Sequence, residues 1–356
     1  MKKIKINNTT ILEVESGQNL LDSLRGNDIL IPTSCGGIGT CLKCKVKINN
    51  DIPYEILEEV MLSEEDKKLG MRLSCQLCVD DDMHVIVPEG IASAALISGV
   101  VEDIKYLTSG IKEITIIPQS DFPILEGGYI QVKIPENFIL QRTDNSEIFM
   151  RLPKPLYNFE RKERELRAYS FANSRYDSNK IILNVRFEFP KKSDQFPGLG
   201  SSYIFSLERG DEVEIIGPYN DFDLNESDNE KIFIGGGVGL SPLKSHIDYL
   251  NKSNFKGEYS LWYGARTEKD IYYKEYFDEL NIKNKKFEYF TALSNLEKDT
   301  KYAQGYIHEH VEKYLKETGI DCKEFYLCGP PPMLNAAIEM LKSHGVADKN
   351  ISFDKF

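Results

Sequence analysis

Cys35-Gly36-Gly37-Ile38-Gly39-Thr40-Cys41-Leu42-Lys43-Cys44 puts three thiols on one glycine-rich loop, and a fourth, Cys75, follows on a distant segment. A [2Fe–2S] cluster needs four thiolates. The glycines permit positive φ and bring backbone N–H groups close to the sulfurs, where they stabilise the extra electron of a reduced cluster. The spacing Cys-x5-Cys-x2-Cys has one more residue in its first gap than the plant-type ferredoxin pattern. Structural zinc is the alternative: Cys41 and Cys44 with Cys75 and Cys78 would make two Cys-x2-Cys pairs. That choice leaves Cys35 unused on the loop. Cys35, Cys41, Cys44 and Cys75 therefore read as iron ligands, and Cys78 as a buried small hydrophobe.

Working outward, residues 1 to 90 form a small β-rich unit. A hairpin turns at Asn7-Asn8, Ser16 caps a helix over Leu20 to Leu24, Lys45 to Ile48 is a strand, and Val85 and Val87 alternate in a last one. Ala92 to Ala95 reads as a linker. The cysteines number seven, and five lie between Cys35 and Cys78. Without a signal-peptide pattern, metal or redox use outranks a disulfide framework. The longest mostly apolar run, Gly90 to Val101, falls far short of the ~20 residues of a membrane helix, so a cytoplasmic chain is expected. A net charge of −12 disfavours a nucleic-acid footprint and suits small ligands or a basic partner.

Residues 97 to 225 are strand-rich, at Gly99 to Ile104, Ile111 to Ile117, Tyr129 to Ile134, Ile181 to Phe187 and Glu212 to Ile216, which predicts an antiparallel barrel. Arg167-Ala168-Tyr169-Ser170 opens a strand pair there. Arg167 offers a forked donor to a phosphate, Tyr169 a flat face for a flavin ring, and Ser170 a hydrogen bond near the hydride-accepting nitrogen. Pro197-Gly198-Leu199-Gly200-Ser201-Ser202-Tyr203 reads as a turn into a helix N-terminus suited to a pyrophosphate. Asn184 and Val185 are further flavin contacts. The stretch from Ile134 to Leu166 is polar and has no clear assignment.

Residues 228 to 356 alternate strand and helix, which predicts a doubly wound parallel sheet. Ile234-Gly235-Gly236-Gly237-Val238-Gly239-Leu240-Ser241-Pro242 is a strand, a glycine turn and a helix start, with proline where no N–H is lost. Tyr263-Gly264-Ala265-Arg266 and Cys328-Gly329-Pro330-Pro331-Pro332-Met333 end further strands, where the ligand crevice of such sheets lies. Gly236, Gly237, Val238, Gly239, Pro242, Ala265, Arg266, Gly329, Pro330 and Met333 are candidate dinucleotide contacts. Cys328 would position the nicotinamide. Glu268 and Asp270 after Arg266 would repel a 2′-phosphate, which favours NADH over NADPH.

In this order, the motifs resemble the ferredoxin–NADP reductase superfamily with a fused N-terminal ferredoxin, and within it the F subunits of sodium-translocating NADH:quinone reductases. Arg72-Leu73-Ser74-Cys75-Gln76 and Trp262-Tyr263-Gly264-Ala265-Arg266 belong to the resemblance, which spans residues 10 to 356. It implies a β-grasp ferredoxin (α+β), a Greek-key β-barrel for FAD and a doubly wound α/β unit for NADH. It also implies a C-terminal aromatic, here Phe356, that covers the flavin. Those subunits begin with a membrane helix, so the expectation here is a soluble relative. The expected reaction carries electrons from NADH to FAD, to the cluster, and on to an unidentified acceptor protein or quinone. Ser170, Cys328 and Phe356 would lie at the site of chemistry. The reductase component of an oxygenase, or a redox sensor without turnover, are the alternatives.

Overall fold

The computed structural model describes residues 1–50, 52–92, 94–136, 138–140, 148, 151–152, 159–160, 165–177, 179–192, 195–295 and 299–355. Among the described residues three large sheets follow one another along the chain, with a two-stranded one beside them. The first has five strands in the order β2-β1-β5-β3-β4. β1 (Lys2–Ile6) and β2 (Thr10–Val14) form the expected hairpin, with Asn7 and Asn8 both at positive φ. β5 (Met83–Ile86) runs parallel to β1, and β3 (Lys45–Ile48) lies antiparallel to both β5 and β4 (Met71–Leu73).

Two local expectations need correction. The helix Leu20–Arg25 is capped by Asn19 and not by Ser16: the Asn19 side chain accepts from the N–H groups of Leu21 and Asp22. Its amide also donates to Cys75 O at 2.9 Å, so the cap ties the helix to the fourth thiol. Cys78 is exposed rather than buried. Side chains alternate along this extended stretch, and Leu77 and Val79 take the inward positions.

The second sheet is antiparallel, with six strands in the order β11-β8-β13-β6-β7-β12. These are β6 (Ala95–Thr108), β7 (Ile111–Pro118), β8 (Tyr129–Ile134), β11 (Glu165–Ser170), β12 (Ile181–Arg186) and β13 (Glu212–Tyr219). A bridge between Phe171 and Leu183 joins the two ends. The expected linker holds a short helix, Glu89–Ala92, and β6 already starts at Ala95. Within the unassigned stretch, β9 (Ile139–Leu140) pairs with β10 (Phe159–Glu160), and Ile148 and Leu152 join the core beneath the sheet. The helix Leu199–Ser206 follows the Gly198 turn as expected. Its orphan C-terminal carbonyls, Ile204 O and Phe205 O, and Leu207 O just beyond, accept from the buried ammonium of Lys112.

The third sheet is parallel, in the order β17-β16-β15-β14-β18-β19. It comprises β14 (Glu230–Gly236), β15 (Tyr259–Ala265), β16 (Phe287–Leu293), β17 (Ala303–Gln304), β18 (Lys323–Cys328) and β19 (Ile351–Asp354). Near-continuous apolar strands, such as Ile232 to Ile234, are buried on both faces by flanking helices. The chain winds outward on either side of β14, so a topological switch point lies at the C-terminal ends of β14 and β18. Among the described residues no helix is long and apolar enough to cross a membrane.

Candidate functional site

The four expected thiols converge in two pairs. Cys44 Sγ lies 3.3 Å from Cys75 Sγ, and Cys35 and Cys41 share a thiol hydrogen bond. Two thiolates on one tetrahedral metal, with bonds of ~2.3 Å, sit roughly 3.8 Å apart, so each pair suits one metal of a dinuclear centre. Among the described residues no three His, Cys, Asp or Glu side chains converge on a single ion, and exposed Cys78 makes no fourth zinc ligand. Donors point at the sulfurs. Ser34 N–H reaches Cys41 Sγ at 3.4 Å, and Gln76 Nε2 reaches Cys75 Sγ at 3.2 Å. Cys35 is pushed down to about 4 by the Cys41 thiol, with backbone N–H groups of the loop adding to the effect. Cys75 is pushed down to about 7 by the Cys44 thiol and then Gln76. This donor set fits a [2Fe–2S] cluster. Gly39, at φ 85°, leaves no room for a Cβ between Leu57 and Gln76, which closes the loop against the segment carrying Cys75.

A cavity of about 500 Å³ opens between the sheets. Ala168, Tyr169 and Ser170 at the end of β11, Asn184 and Val185 of β12, and Ser201 form one side. Gly236, Gly237, Val238 and Pro330 form the other. The Arg167 to Ser170 motif thus closes a strand, where the sequence reading put it at a start. Asn184 Oδ1 accepts from Tyr273 OH at 3.0 Å, while Asn184 Nδ2 is buried without a partner, as a wall awaiting an acceptor-rich ring would be. The residues present fit a flavin. Arg167 itself stands off the cavity wall. It is engaged by Glu165 and Leu166 O, and it packs with Tyr169 against Gly200 of the following helix.

A second cavity, of about 610 Å³, shares Arg186, Gly236, Gly237 and Pro330 with the first, so the two form one trough. Ala265, Arg266 and Met333 line it, together with Tyr306 and His308, which sequence reasoning missed. Asp270 also lines it, and Glu268 bonds Thr300. Cys328 and Gly329 lie directly behind Gly239, and Cys328 is fully buried, with burial pushing its thiol well up. Gly198, Ser202 and Pro242 line neither cavity. Phe356 lies outside the described residues.

The cluster loop reaches into the flavin cavity. Ser34, next to Cys35, and Lys43, next to Cys44, are among its walls, as are Tyr129 and Asp354. Lys43 bonds Asp221, after β13, and Asp354, on β19. A lysine between two cysteines carries no sign in sequence of where it points, so neither it nor its partners could be singled out there.

The comparisons agree with this geometry. A family profile described as 2Fe-2S iron-sulfur cluster binding domain matches residues 4–80, and one described as Oxidoreductase NAD-binding domain matches residues 233–339. Among solved structures, Amycolatopsis cytochrome P450 reductase GcoB aligns over 100% of this chain and 99% of its own, with TM-score 0.69 and 21% identity. The ferredoxin reductase of carbazole 1,9a-dioxygenase covers 100% and 98%, with TM-score 0.67 and 24% identity. Both share the multidomain reductase fold. The F subunit of the Na(+)-translocating NADH-quinone reductase of Marinomonas sp. (strain MWYL1) is 35% identical, over 99% of this chain and 90% of that protein. Its counterpart from Klebsiella pneumoniae subsp. pneumoniae is 37% identical, over 99% and 91%. The chain is an NADH oxidoreductase with a 2Fe-2S iron–sulfur cluster binding domain and an NAD-binding domain. It belongs to the family of Na(+)-translocating NADH-quinone reductase F subunits.

Proposed function

We propose that the chain takes electrons from NADH and delivers them, through FAD and the cluster, to a protein or quinone acceptor. When bound, the flavin supplies two-electron chemistry with the nicotinamide, and the cluster supplies one-electron chemistry with the acceptor. Three units divide the work: residues 1–90 hold the cluster, 97–225 form the barrel that holds FAD, and 228–356 hold NADH. Cys35, Cys41, Cys44 and Cys75 ligate iron. Tyr169 and Asn184 orient the flavin ring, and Ser170 supplies a hydroxyl beside its reacting edge. The turn at Gly198 with Ser201 and Ser202 receives a pyrophosphate at the helix N-terminus. Gly236 to Gly239 receive the dinucleotide. Ala265 and Arg266 face its ribose, and Cys328 with Pro330 backs the nicotinamide.

The observation that carries this reading is the shared cavity wall: Ser34 and Lys43 of the cluster loop line the same space as Ser170 and Gly237. The acceptor then meets the cluster from the outer side of the loop, where Ile38 is 66% exposed. Anaerobic titration of the holoprotein with NADH tests the relay. Flavin and cluster should bleach together, and a quinone should reoxidise both. Holoprotein carrying zinc in place of iron and sulfide would falsify the reading.

A further inference from the structure

Resting on that reading, we propose that Lys43 is a positioning residue that clasps the cluster loop to the flavin cavity and to the last strand of the third sheet, and that electron passage from flavin to cluster depends on this clasp. Lys43 lies between Cys41 and Cys44 in sequence. Its Nζ donates to Asp354 Oδ1 at 3.0 Å and to both carboxylate oxygens of Asp221 at 3.2 Å. The same Nζ sits 4.1 Å from the centre of the Tyr129 ring. Asp354 Oδ2 accepts from Ser170 Oγ at 3.4 Å.

The side chains of Lys43 and Asp354 are each only 4% exposed. A cation buried this deeply is tolerated because two carboxylates and an aromatic face meet it, and Lys43 in turn is the counter-charge that Asp354 meets. The partners come from separate parts of the chain: Lys43 from the loop just before β3, Tyr129 from β8, Asp221 from just after β13, and Asp354 from β19. Separating the units would bare Lys43 and Asp354 together, so the triad opposes any sliding of the loop along the cavity. Directional charge-assisted bonds fix such a register more tightly than apolar contact does. Tyr219 OH to Leu30 O (2.6 Å) and Gln131 Nε2 to Thr33 O (2.8 Å) hold the approach to the loop, and they do so against the second sheet. Lys43 extends the grip to the third. The electrons themselves come from NADH, two per molecule, and leave singly through the cluster.

The test compares Lys43→Met and Lys43→Arg holoproteins. After anaerobic mixing with NADH, flavin and cluster absorbance are followed separately by stopped flow. In Lys43→Met the cluster should lag the flavin by about 10–100-fold relative to wild type, the scale of a small misplacement of reacting groups, and Lys43→Arg should recover to within about threefold. Hydrogen exchange of the amides of 30–34 and 351–354 gives a readout independent of turnover. It should rise in Lys43→Met and stay at wild-type level in Lys43→Arg. Wild-type cluster reduction in Lys43→Met, whatever its exchange pattern, overturns the proposal. If Lys43→Met does not hold its cluster, Asp221→Asn decides, since it leaves the loop sequence intact. Slower cluster reduction and faster exchange there support the clasp, and wild-type values for both overturn it. Were wild type itself never to reduce its cluster with NADH, the relay would fall, and the exchange data would still judge the clasp.

Discussion

Arg72, on the strand that leads to Cys75, forms a buried ion pair with Glu58, with side chains 3% and 0% exposed. Glu58 accepts from Arg72 Nη2 at 2.6 Å, from Leu73 N at 2.7 Å and from Glu55 N at 3.0 Å. The pair pins the short helix Ile56–Met61 to β4, three residues before Cys75. Glu58→Gln should cost about 3–5 kcal/mol, because the Arg72 guanidinium would stay buried without its counter-charge. Urea unfolding followed by the cluster's absorbance measures this. A loss under about 1 kcal/mol would show that the guanidinium is compensated by Ile52 O and Pro53 O alone.

Cys75→Ser should abolish the cluster's visible absorbance while leaving NADH-to-flavin reduction in place. The nucleotide trough is built from the second and third sheets together with Ser34 and Lys43, and Cys75 lines neither cavity. Ferricyanide turnover with NADH and iron analysis on the same sample check both halves. Loss of flavin reduction along with the cluster would mean that the first unit cannot be emptied without collapsing the second.

Local pattern carried most of the third unit. β14 ends at Gly236, β15 at Ala265 and β18 at Cys328, within the motifs expected to end strands, because apolar runs punctuated by glycine leave few alternatives. The cysteine spacing identified the four converging thiols for the same reason. The misreadings concern choices among near neighbours. Asn19 displaced Ser16 because its amide could also bond Cys75 O. Cys78 turned outward because Leu77 and Val79 had already taken the inward positions. Lys43, Asp221 and Asp354 were illegible because their meeting is set by the docking of three sheets and by no periodicity within any one of them.

His246 should make the third unit acid-sensitive. Burial pushes its pKa down to about 4. In the folded chain Nε2 faces Phe222 O at 2.9 Å and Nδ1 is buried without a partner. The unfolded chain takes up a proton near pH 6.5, and the folded chain does not until about pH 4. Stability is therefore complete above that window and falls as pH drops through it, by up to about 3 kcal/mol. Denaturant midpoints at several pH values in wild type and His246→Gln test this. The variant should lose the slope between pH 6.5 and 4, and an unchanged slope would assign the acid sensitivity to carboxylates.

Gly239 tests whether the nucleotide turn and the end of β18 are packed in direct contact. Its φ of −60° suits any residue, so backbone strain is not at issue. Space is: an added Cβ would run into the carbonyl of Cys328 and meet Gly329 N at 2.5 Å, and backbone cannot rotate out of the way as a side chain can. Gly239→Ala should cost about 1–3 kcal/mol through overpacking, and should weaken NADH binding about tenfold or more by spreading the two strand ends that share the trough. Gly90→Ala, where an added Cβ meets nothing within 4 Å, is the matched control. Calorimetric titration with NADH on both variants gives the comparison. Equal affinities would show that the turn yields without disturbing the dinucleotide, and the wall formed by Gly236 and Gly237 would then bind it independently of β18.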